Sequence, residues 1–361
     1  MSQLALSGAV LDRLSGISRA RGTPSLGERL AALERWVRDD LAAFEAELAV
    51  IPRGARVVHA AAHHLLDLGG KHLRPLCVAL ASRFGDGFTE TARALAVAVE
   101  LVHSATLLHD DVVDLAERRR GAPAACVVYG NAASIFAGDW LLVAALRRIA
   151  AAGVEGLLDK MLAVIDEMIV AESVQLERRG RLAGARDDYF AIVEGKTAAL
   201  FRWAMIAGAR VAGLPAAAEG ALERYGLHLG VAFQAVDDEL DYGGVEPGPG
   251  AAADTGKDPL ADLREGKVTF PLVVALEREP ALHGQLERLL AEERATGGAA
   301  VPRDQLAAIA ARIRGTGALA ATRALAEEHV RRALGVLEEL PAGPPRDALV
   351  TVALASLERT S

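Results

Sequence analysis

The segment TARALAVAVELVHSATLLHDDVV, residues 91–113, constrains the fold most, because it is apolar nearly all round until it meets aspartates. A helix at a protein surface needs only one apolar stripe, so one that is apolar on every side belongs inside a bundle of other helices. The stretches Ala132–Ile149 and Tyr225–Tyr242 have the same character. LGERLAALERWVRDDLAAFEAEL, from Leu26, is amphipathic instead, with apolar residues at helical spacing and charges opposite. Ala and Leu dominate the 52% hydrophobic fraction while aromatics supply 4%, and these two residues favour helices. Alternating β-branched runs bounded by turns are absent. The breaks are short: Gly69-Gly70, Gly85–Gly87, Gly121–Pro123, residues 243–250 and residues 295–302. These features predict an all-α fold, a single large helical bundle over residues 26–361 behind a variable lead-in at 1–25.

Formal net charge is -8, which argues against a nucleic-acid surface. Cys77 and Cys126 lie in apolar surroundings without CxxC or Cys/His spacing, and read as core residues of a reducing cytoplasm. No run of 18 or more uncharged apolar residues suggests a membrane span, and the first residues lack a signal-peptide pattern.

The acidic residues carry the chemistry. Asp110 and Asp114 are one helical turn apart with Asp111 alongside, at the end of an otherwise apolar helix. Three like charges so close call for something positive, and an oxygen-only ligand set suits magnesium bridged by substrate phosphates. One such cluster is more often a solvated helix end. FQAVDDELD repeats it with Asp237, Asp238 and Asp241 on a second core-type helix. If the two helices face each other, the clusters can share magnesium ions on one diphosphate.

Cations answer them. GGKHLRP offers Lys71 and Arg74 beside backbone freed by glycines, a reasonable anion cradle. Arg118, Arg119 and Arg120 follow the first aspartates, and paired guanidiniums grip phosphate oxygens bidentately. Lys196 and Thr197 lie in EGKTAALF, which lacks the upstream glycine spacing of a P-loop. Lys257 and Lys267 bracket TGKDPLADLREGK, a polar loop placed to close over a bound diphosphate. Taken singly, each is more often a solvated surface charge. His103 lies two turns before the aspartates, facing the same side.

GGKHLRP, LLHDDVVD with RRG behind it, GKT, FQAVDDELD and GKDPLADLREGK occur in an order and spacing that resemble the trans-isoprenyl diphosphate synthase family, from about Leu26 to Arg359. The resemblance implies an all-helical homodimer with one central cavity per subunit. It implies that Asp110, Asp111, Asp114, Asp237, Asp238 and Asp241 bind magnesium. Arg119, Lys196, Thr197, Gln234, Lys257 and Lys267 would serve the allylic diphosphate. Lys71, Arg74, His103 and Arg120 would hold isopentenyl diphosphate, with Phe233 near its hydrocarbon. Glu172 and Gln175 fall where the family has a polar pair lining the cavity. His72 stands where the family often has Arg, and the C-terminus, VALASLER, lacks an aromatic.

The implied chemistry is ionisation of the allylic diphosphate, attack on the cation by the isopentenyl double bond and loss of a proton. A terpene cyclase of the same helical class typically carries an Asn/Ser/Glu second metal motif, whereas this chain has another DDxxD. A silent partner subunit typically loses aspartates or basic residues, and both remain here. In this family, small residues four or five positions before the first aspartate go with long products. Ala105 and Thr106 stand there, with Val102 below and Leu142 expected at the tunnel floor, so a long product of about eight isoprene units is expected along roughly 22 Å of helix. Shorter farnesyl- or geranylgeranyl-type products are the alternative.

Overall fold

Helices follow one another as α1 (Pro24–Ala49), α2 (Val57–Leu66), α3 (Leu73–Ser82) and α4 (Glu90–Val113), then a two-stranded hairpin of β1 (Arg118–Arg119) and β2 (Ala122–Pro123). Next come α5 (Ala125–Tyr129), α6 (Asn131–Ala152), α7 (Leu157–Arg178), α8 (Ala185–Ile192), a π-helical turn (Val193–Ala198) and α9 (Ala199–Val211). The chain continues through α10 (Ala216–Gly243), α11 (Ala261–Arg264), α12 (Phe270–Arg278), α13 (Arg303–Gly315), α14 (Ala318–Leu337) and α15 (Pro344–Leu357). The computed structural model describes residues 24–179, 185–243, 261–264, 266–288 and 303–358.

α4 starts where Thr89 caps it, the hydroxyl accepting from Ala92 N–H at 3.3 Å, with Glu90 in the first turn. Its apolar circumference is met on several sides, by α6, α3 and α9. It is the one described helix long and apolar enough to cross a membrane, and 67% of its apolar window is buried inside the fold. Its polar backbone is used too: the buried Ser134 hydroxyl on α6 donates to Leu108 O at 2.8 Å. Left unpaired, a group of that kind costs about 1–3 kcal/mol.

α10 is the second central helix, packed on α14, α9, α15 and the π turn. The buried Tyr225 hydroxyl donates to Leu349 O at 2.7 Å and ties α10 to α15. The two aspartate-bearing helices are not packed on one another; α9 lies between them and touches both. One apolar cluster runs through α1–α7, α9, α10, α14 and α15, and a second gathers Tyr189, Tyr242, α12 and α13. Cys77 and Cys126 are free and buried, as the sequence predicts.

Candidate active site

On α4 the partly open residues His103, Thr106, Asp110 and Asp114 recur at helical spacing, so they share one face. Each aspartate of the first cluster is paired with protein cations. Asp110 faces Lys196 Nζ at 3.4 Å. Asp111 is fully buried and accepts from Arg119 Nε at 2.7 Å. Asp114 closes the helix and takes Arg179 at 2.5 Å and Lys267 Nζ at 2.8 Å. Burial raises the pKa of Asp110, with Lys196 opposing, and raises that of Asp111 against the Arg119 hydrogen bond. At Asp114 burial pulls the same way, but Lys267, Lys196 and Arg179 outweigh it and hold the carboxyl below its ordinary value. Arg179 was not visible as a site residue in the sequence, where it is one more charge in a run of two arginines.

The π turn Val193–Ala198 connects the two aspartate helices. A turn with i→i+5 bonding is rare and concentrates at functional sites. Here it lets two adjacent side chains diverge. Lys196 reaches Asp110 and pairs with Glu172 at 2.5 Å, while the Thr197 hydroxyl donates to Gln234 Oε1 of α10 at 3.0 Å. Gln175 Nε2 donates to Glu172 at 3.2 Å, completing the expected polar pair. Burial would lower the Lys196 pKa, yet Asp110 and Glu172 hold it above the ordinary lysine value. Gly195 permits this approach: a Cβ there would lie 2.7 Å from the Ala171 Cβ and 3.0 Å from Glu167 O on α7.

On α10 the partly open residues Phe233, Gln234, Asp237 and Asp241 form the matching face. Asp238 is the most enclosed aspartate of the second cluster. It is 2% exposed, Gln234 Nε2 donates to its Oδ1 at 2.9 Å, and Phe270 N–H donates to its Oδ2 at 3.1 Å. Burial lifts its pKa to about 7 against those hydrogen bonds. Asp238 is therefore a strut between α10 and the start of α12, about 100° around the helix from Asp237. Tyr242 supports the same joint, its hydroxyl 3.1 Å from that of Thr269.

The basic loop and the hairpin meet beside α4. Arg120 and Gly121 form the tip between β1 and β2, and both have positive φ, 51° and 79°, as a type I′ turn requires. Arg74 lies over the Phe201 ring at 4.6 Å, and Phe201 packs against Phe233 with centroids 5.6 Å apart. Burial lowers the Arg74 pKa, while Glu100 and Asp237 act in the opposite sense. His103 is held well below 6.5 by burial and then by Arg74, so it is neutral near pH 7. Lys71 is exposed at the start of this loop. Lys257 lies outside the described residues.

The tunnel residues divide. Ala105 and Val102 are each 1% exposed and packed in the core, whereas Thr106 and Leu142 keep partial exposure. Thr106, rather than Ala105, is thus the residue below Asp110 that borders open space.

The described face brings carboxylates from two helices to one end of the bundle and supplies cations from three separate segments. The polyprenyl synthetase family model matches residues 55–305. The chain is 35% identical over 311 residues to the all-trans-nonaprenyl-diphosphate synthase (geranyl-diphosphate specific) of Rhodobacter capsulatus, covering 84% of this chain and 89% of that one. It is 32% identical to the octaprenyl diphosphate synthase of Escherichia coli K12, covering 84% and 90%. The solved polyprenyl synthase of Caulobacter crescentus, complexed with calcium and isoprenyl diphosphate, superposes with a TM-score of 0.82 at 35% identity over 91% of this chain and 97% of that one. This chain belongs to the polyprenyl synthetase family and is a prenyltransferase.

Proposed function

We propose that the chain is a magnesium-dependent all-trans-polyprenyl diphosphate synthase with a long product of about eight isoprene units, which grows down the face of α4 below Asp110. It would join isopentenyl diphosphate head-to-tail to an allylic diphosphate. One observation carries the reading: adjacent residues of the π turn, Lys196 and Thr197, contact the two aspartate helices, so one phosphate group can be shared by both. Relatives named as nonaprenyl and octaprenyl synthases support the long-chain reading.

The donor set fits a hard divalent cation. It offers carboxylate oxygens, and Asp111 Oδ2 is buried with no hydrogen-bond donor facing it. Asp110, Asp111 and Asp114 with Asp237 and Asp241 would hold the ions; Asp238 supports α10 from behind. When bound, magnesium neutralises the allylic diphosphate and so favours cleavage of its C–O bond. The remaining steps belong to side chains. Lys196 and Lys267 exchange a carboxylate partner for phosphate oxygens, and Arg119 sits beside them on Asp111. Arg74, Arg120 and Lys71 hold isopentenyl diphosphate with its double bond toward the allylic carbon. Phe233 and Phe201 keep water from the cation. The proton lost after condensation passes to the departing diphosphate held by Arg119 and Lys196.

Lys71→Ala and Arg74→Ala are expected to raise KM for isopentenyl diphosphate about tenfold or more, the scale of one charge-assisted hydrogen bond. KM for the allylic substrate should move little. Lys196→Ala should do the reverse. Steady-state kinetics with each substrate varied in turn checks the division, and equal effects on both substrates in all three variants contradict it.

A homodimer is part of this proposal. Large apolar side chains are exposed on α6 and α7, among them Phe136 at 59%, Ile169 at 60% and Val170 at 56%. Adjacent helices presenting such a face suit a second copy of the chain. The buried free thiols agree with a reducing compartment, the cytoplasm in this reading.

A further inference from the structure

Glu100 lies mid-way along the apolar helix α4, 3% exposed, where a carboxylate has no place in ordinary core packing. Two side chains converge on it from different segments. His72 Nδ1 lies 3.2 Å from Glu100 Oε1. A Cβ built on Gly70 would lie 3.1 Å from Arg120 Nη2 and 3.3 Å from Glu100 Oε1, so the guanidinium and the carboxylate border the same point. His103, one turn along α4, and Arg74 complete the surroundings. The backbone records the convergence as well. His72 and Arg120 both adopt left-handed conformations, φ 45° and 51°, which a non-glycine residue holds only at a cost and which gather at functional sites. Of the three described non-glycine residues with positive φ, two are these neighbours of the buried acid.

We propose that Glu100 is the positioning residue of the isopentenyl diphosphate pocket: it fixes Arg120 and His72 in the orientation that receives the diphosphate. The proposal rests on the assignment of Arg74 and Arg120 to that substrate. Burial favours the neutral acid, but His72 first and then Arg120 outweigh it, holding the carboxyl at about 2, so the group is ionised throughout the working range. Two guanidiniums held close together would repel and diverge without an anion near them, and long arginine side chains lose their preorganisation readily. Gly70 leaves them room, since a Cβ there would crowd the Arg120 guanidinium and the Glu100 carboxylate alike.

A carboxylate near an anion site has an opposing effect, since its charge repels the incoming diphosphate. Glu100→Asp separates the two, because it keeps the charge and withdraws it by one methylene. If Glu100 positions the cradle, Glu100→Asp raises KM for isopentenyl diphosphate about tenfold, leaves KM for the allylic substrate within twofold, and changes kcat little. Glu100→Gln, which replaces an acceptor with an N–H facing a cation, moves KM the same way and further. An unchanged isopentenyl KM in Glu100→Asp, or a lowered one in Glu100→Gln, overturns the proposal. So does a loss of thermal stability with equal change in both KM values, which is what a purely structural acid would give. Arg120→Gln is the reference in the same experiment. If it leaves isopentenyl KM untouched, the pocket assignment itself has failed; if it raises KM while Glu100→Asp does not, the positioning role alone has failed.

Discussion

Asp110→Ala is expected to lower turnover about a thousandfold or more at saturating magnesium, the scale of losing a preorganised electrostatic group. The fold should survive. Asp110 shares its helix end with Asp111 and Asp114, and burial already raises its pKa, so removing it relieves a crowded negative site. Lys196 keeps Glu172 at 2.5 Å as a partner. Circular dichroism and the melting temperature should therefore match wild type or exceed it, while kcat collapses. Near-normal kcat in this variant contradicts the metal site.

Thr106→Phe is expected to shorten the principal product from about eight isoprene units to three or four, since an aromatic ring spans roughly one turn of the helix wall. Thr106 borders open space one turn below Asp110, and its hydroxyl turns away to donate to His103 O at 2.8 Å. The growing chain would meet the ring after the first additions. Ala105→Tyr is a poorer probe, because Ala105 is 1% exposed and a ring there overpacks the core at about 1–3 kcal/mol. Chromatography of dephosphorylated products reads the length. An unchanged long product in Thr106→Phe places the tunnel elsewhere.

Much of the site is legible in the sequence because its chemistry is concentrated in short motifs on strongly periodic helices. Asp110, Asp114, Asp237 and Asp241 fall on the open faces of their helices, as spacing alone implies. Asp237 and Asp238 differ because neighbours on a helix point about 100° apart, and the inner one also braces Phe270 N–H. That partner is backbone, which carries no sequence signal. Glu100 does leave a signal, a lone charge inside AVAVELVHSA. Arg179 left none, since its role depends on where the end of α7 comes to lie beside Asp114. The mutual neutralisation of aspartates and basic residues is likewise a tertiary fact. Order and spacing could place both sets at one site, but not pair Lys267 with Asp114, 153 residues apart in the chain.

The most direct test of the whole account is incubation of the purified protein with isopentenyl diphosphate and a short allylic diphosphate, with magnesium or with EDTA, followed by chromatography of the products. The account predicts a ladder ending at about eight isoprene units with magnesium, and no condensation with EDTA. Unconsumed isopentenyl diphosphate in the presence of magnesium, or equal turnover in EDTA, would contradict it.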